Sequence, residues 1–169
     1  MNYTRSIIAR KLRRIARLLR YADFASAHLG IEKAITELEK YGEILDSVEE
    51  AINEKQMSSF SNFLTSAKTF ANNKLFFTLF KQFKELYPKA MQVLEHAKTM
   101  RSMNDMKFAI HNQRKPLEEI LEVMKKIKSH FDDPNVKVPF DKTNRQIKSG
   151  QLEYQNFVYD VNQAIDATE

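Results

Sequence analysis

Four histidines, His28, His96, His111 and His130, are the side chains best suited to acid–base work or metal ligation near neutral pH. A zinc helix needs two histidines four residues apart, and a di-iron bundle needs a Glu-x-x-His pair on each of two helices. Neither pattern occurs, and the four lie far apart, so they read as exposed or hydrogen-bonded histidines. The chain has no cysteine, which removes thiolate metal sites, cysteine nucleophiles and disulfides together and suits a reducing compartment. Neighbouring carboxylates such as Glu49 and Glu50, or Glu118 and Glu119, point about 100° apart on a helix and read as solvated. Three glycines in the whole chain leave no phosphate-cradling loop of the Walker or dinucleotide type. The expectation is therefore a protein with no catalytic residue, no metal site and no cofactor. A site assembled from distant residues would show as a deep pocket lined by shifted carboxylates or histidines.

The remaining chemistry is that of charge. Residues 1–22 carry seven arginines and lysines and no acid, a net +7, whereas residues 31–54 carry a net −6, and the chain as a whole is +5. At about 100° per residue, Ile7, Ile8, Leu12, Ile15, Leu18, Leu19 and Ala22 share one arc of a helix. Arg10, Arg13, Arg14, Arg17 and Arg20 share the opposite arc, and only Lys11 intrudes on the apolar one. Ile8, Leu12, Ile15 and Leu19 alternate steps of four and three, the spacing of a seam that docks on another helix. The five arginines are the expected polyanion-binding face.

Several elements must position these faces. Scarce glycine and proline, with abundant Ala, Leu, Glu, Lys and Met, predict an all-α protein, a compact bundle of six or seven helices with short connections. A single domain over 1–169 is expected, long enough to bury a sizeable core. Thr4 caps a basic amphipathic helix over 4–22, and Gly30 ends or interrupts it. An acidic amphipathic helix follows over 31–54, with Glu32, Glu39, Glu43, Asp46 and Glu50 along one flank of its apolar face. Residues 58–132 form Phe- and Met-rich core helices. Ser58 and Ser59 cap the first of them, Asn72 and Asn73 mark its end, and Pro88 and Pro116 each open a further helix. Met91, Met100, Met103 and Met106, like the phenylalanines of 60–83, keep helical spacing and read as core. Asp132, Asp133 and Pro134 stop the helix before a loop over 133–141, and a C-terminal helix covers 141–166.

Three readings of the arginine face follow. In one, the Ile/Leu seam docks into the chain's own bundle with the acidic helix antiparallel beside it. In the second and favoured functional reading, the arginines meet a nucleic acid. In the third, they meet anionic lipid or an acidic protein surface, or the chain self-associates or assembles with a protein partner. No apolar run is long enough to span a bilayer, and no secretory signal is visible. An intracellular, cytoplasmic location is expected, with mitochondrial targeting by the Arg-rich start as second choice. Ala167-Thr168-Glu169 resembles the small-residue, any-residue, glutamate sites cut by head-maturation proteases of large tailed phages. That resemblance implies a virion or assembly component as an alternative role.

Overall fold

The computed structural model describes the backbone of residues 2–58 and 67–166; the side chains of 2, 3, 16–22, 56–58, 67 and 166 are not described. Five α-helices and no strand occur among the described residues: α1 (Asn2–Ser58), α2 (Ala67–Lys98), α3 (Met103–Asn112), α4 (Arg114–Asp132) and α5 (Asp141–Asp166). The fold is an all-α bundle, as the composition requires.

The spine is α1, 57 residues and therefore about 85 Å long. Its buried residues Ile31, Ala34, Ile35, Leu38, Tyr41, Leu45, Val48 and Ile52 recur at steps of three and four and form one stripe. Helix α5 runs antiparallel along it. Tyr41 faces Tyr154 with ring centroids 6.5 Å apart, and the Glu37 carboxyl neighbours Asp160 further along α5. A β-carbon at Gly150 would lie 3.2 Å from Ile44 Cγ2, so the absent side chain lets the two helices approach closely there. Helix α2 also runs antiparallel to α1. Lys84 holds Glu49 at 3.3 Å while sitting 4.1 Å from the centre of the Phe80 ring, and Tyr41 meets Phe83 edge-on at 5.4 Å.

Helix α4 closes the other side of α2 with Leu117, Ile120, Val123, Met124, Ile127 and His130 buried. His130 is 9% exposed and stacks on Phe76 at 6.3 Å. Burial pushes its pKa down, and the nearby Asp133 only partly opposes this, so the imidazole sits neutral in the aromatic cluster. It belongs to the core rather than to the exposed or hydrogen-bonded class expected for the histidines.

Several boundaries differ from the sequence expectation. Residues 4–22 and 31–54 are not two helices but one, because α1 runs through Gly30 with no positive φ, and a β-carbon there would meet no neighbour within 4 Å. A glycine in a helix interior costs about 1 kcal/mol relative to alanine, which the packing of Ala27, Ile31, Ala34 and Ile35 beside it outweighs. Likewise Pro88 lies inside α2 instead of opening a new helix. Phe83 on one side and Ala90, Met91, Val93 and Leu94 on the other are all buried, and this anchoring offsets the missing N–H donor. Asn72, Asn73 and Gly150 do not break their helices. The break instead falls at Thr99–Ser102, where the Ser102 side chain accepts a hydrogen bond from the Asp105 N–H at 3.1 Å and caps α3. Phe70 and Leu75, read as core, are exposed, while Phe76, Phe80 and Phe83 are buried. The expected helix start at Ser58 and Ser59, with Phe60, Phe63 and Leu64, falls largely outside the described residues.

Candidate polyanion interface

Because α1 does not break at Gly30, its first part overshoots the bundle. Helix α2 ends at Lys98, whose carbonyl oxygen accepts a hydrogen bond from the His28 ring at 3.1 Å. Among the described side chains, Phe24 and Ala27 are the first of α1 that pack against the core. Asn2–Asp23 therefore projects as a helix of about 33 Å.

Of the three readings, the one that docks Ile8, Leu12 and Ile15 on the chain's own bundle does not fit this arrangement. Ile7 is 38% exposed, Ile8 52%, Leu12 60% and Ile15 53%. The physical cause is position along α1. Steps of three and four carry the Ile8–Leu12–Ile15 row through Gly30 and Glu37 to Tyr41 and Ile44, the part of the row that α5 covers. Ile8, Leu12 and Ile15 lie about 22 residues or more before that covered part, and they are exposed. The fourth docking residue, Leu19, lies outside the described side chains.

Arg10, Arg13 and Arg14 are exposed, as are Arg5 and Lys11, and none of the five pairs with a carboxylate among the described residues. The Arg17 and Arg20 side chains are not described. The acidic segment does not lie beside the basic one but follows it coaxially. Arg14 and Glu32 are separated by about 27 Å of helix, several Debye lengths at physiological salt. Glu32 lies 3.5 Å from His28, and Glu39, Glu43, Asp46 and Glu50 are exposed without an ion-pair partner among the described residues. One helix thus presents two uncompensated charge blocks of opposite sign. Its first turn holds no acid to offset the cations against the positive pole of the helix dipole.

Two further features were not anticipated. A groove of about 1360 Å³ opens at the base of the projection, between α1, α3 and α5, with Asp23, Lys33, Arg101, Lys107, Tyr159 and Asp160 among its lining. Beside it, Glu37 is half-buried with its Oε2 enclosed and without a hydrogen-bond partner. Burial first, then the hydrogen bond and charge of Asp160 and the charge of Glu153, push its pKa up to about 8 against the opposing pull of Lys33. Burial and the neighbouring carboxylates together favour the protonated form of Glu37. Glu37 does not line the groove, so this proton sits in the α1–α5 interface. The sequence did carry a signal for this: Glu37 is three residues from Ala34 and four from Tyr41, on one row with both of these buried residues.

Among the described residues, no helix is long and apolar enough to cross a membrane, and no group of three or more acidic or histidine side chains is arranged to hold a metal ion. No family model, curated protein or solved structure matches the chain.

Proposed function

We propose that this chain is a non-enzymatic interaction protein that binds a polyanion through the projecting end of α1, with nucleic acid the favoured ligand. The observation that carries this reading is the set of bare guanidiniums at Arg10, Arg13 and Arg14, which no carboxylate of the chain answers among the described residues. Guanidinium binds phosphate oxygens bidentately and keeps its charge at every relevant pH. A rod about 10–12 Å across that stands clear of its bundle can approach a phosphodiester backbone without collision. A flat bilayer fits less well, since α5 continues the apolar row and would meet the surface before the isoleucines do. An intracellular location goes with this reading.

The test is binding of labelled duplex DNA and of anionic vesicles across a salt series. Replacing Arg10, Arg13 and Arg14 by Gln is expected to reduce the log–log salt slope for DNA by about 2.7, at roughly 0.9 for each phosphate no longer neutralised. An unchanged slope removes the nucleic-acid reading, and binding to vesicles alone transfers the site to lipid.

A second reading has its own observation. The bare Ile8–Leu12–Ile15 row is in line with α5, so a partner's amphipathic helix could continue the layer that α5 begins. Such a partner would make the chain an assembly component, the role also implied by the resemblance at 167–169, residues that lie outside those described. Loss of that partner from an assembly when the three residues become Ser, with DNA binding unchanged, would support it.

A further inference from the structure

The two charge blocks of α1 are complementary to each other when one copy of the helix is reversed. The acids Glu39, Glu43 and Asp46 are spaced by four and three, and so, read backwards, are Arg17, Arg13 and Arg10. Each of these pairs has residue numbers that sum to 56, so an antiparallel pair of α1 helices with its two-fold axis beside residue 28 sets the basic block of each copy level with the acidic block of the other. In that register Arg14 falls beside Glu43. Arg10, Arg13, Arg14, Glu39, Glu43, Asp46 and Glu50 are exposed, and none of these is paired within the chain among the described residues.

We infer that a second copy of this chain is a partner of the basic face, docking its acidic half of α1 against the basic half of the first in an antiparallel, two-fold arrangement. At about 100° per residue, Arg10, Arg14, Glu39, Glu43, Asp46 and Glu50 fall within one arc of about 60°. That arc borders the buried Ile31–Ile52 stripe, and at the axis its edge carries His28, whose ring meets the end of α2. Next to the axis, Ala25 and the half-exposed Leu29 supply an uncharged centre. A two-fold contact makes every pair twice. Seam-to-seam pairing through Ile8, Leu12 and Ile15 would instead bring two +7 segments together, which like-charge repulsion disfavours. The contact is built from exposed ion pairs, so it is weak and salt-sensitive. It occupies the same guanidiniums that the proposed function gives to a polyanion, and in that respect it rests on that reading: polyanion and second copy compete.

The experiment is the molar mass of the full-length chain by sedimentation at low and high ionic strength, with two paired variants. Dimer at low salt and monomer at high salt is expected for the natural chain. Arg10→Glu with Arg14→Glu is expected to be monomeric alone, and so is Glu43→Arg with Asp46→Arg, because each sets like charges opposite one another. Mixed, the two variants should recover the dimer, since each then meets its opposite. All four positions are exposed, and far-ultraviolet circular dichroism checks that each variant keeps its helix. A natural chain that stays monomeric at low salt, a dimer indifferent to both variants, or a mixture that fails to pair overturns the inference. Addition of duplex DNA should dissolve the dimer. A charge-dependent dimer that DNA neither binds nor disturbs sinks the polyanion reading and keeps this one, whereas DNA binding by a strict monomer does the reverse.

Discussion

Glu37 shows how a single residue departs from the rule that acids on a helical flank are solvated. Its folded pKa of about 8 lies above the 4.5 of an ordinary glutamate because burial and the Asp160 and Glu153 carboxylates all disfavour its charge. Folding therefore takes up a proton between these two values, and stability declines as pH rises through that window toward 8. The expected outcome is a melting temperature that falls from about pH 5 to about pH 9 in the natural chain and loses most of that slope in Glu37→Gln. An unaltered slope would show that the carboxyl pair is not the titrating group. Lys33 faces the same pair and moderates the effect. At this scale, the arginine and isoleucine faces were legible in the sequence, because helical periodicity fixes which side chains share a side. Glu37 was legible only through its row with Ala34 and Tyr41, and His130 only through its place three residues after Ile127 on the apolar row of α4.

At the scale of the element, the sequence read the stops that are cooperative and missed the places where packing overrides a local penalty. Asp132, Asp133 and Pro134 end α4 as expected, the loop over 133–141 follows, and α5 starts at Asp141. Several polar and proline residues act together there, and no buried residue opposes them. Gly30 and Pro88 are lone penalties inside well-packed stretches, and the helices pass through both. Gly30 also has space around it and no positive φ. Gly30→Ala is thus expected to stabilise the chain by about 1 kcal/mol, or about 2–4 °C in melting temperature for a protein of this size. A fall in melting temperature would show that the helix needs glycine there for a reason other than space.

At the scale of the molecule, the core and the interaction surface are separate parts of one helix. From Phe24 onward α1 is held by α2, α3 and α5; before it, Ile7, Ile8, Leu12 and Ile15 are exposed. Deletion of residues 2–20 is accordingly expected to shift the melting temperature by less than about 2 °C, while removing DNA binding and the salt-sensitive dimer together. A large loss of stability would mean that the projection contributes to the core after all.

Composition and periodicity were enough to establish an all-helical chain, the absence of cysteine chemistry, and a first segment with arginine on one side and aliphatic residues on the other, since these follow from residue type and a repeat of about 3.6. Whether that segment folds back on its bundle or extends past it was decided only in three dimensions. The outcome depends on the balance between a glycine penalty of about 1 kcal/mol and the packing on either side of residue 30. It depends equally on which part of α1 packs against α5, and neither quantity is written in any local stretch of sequence.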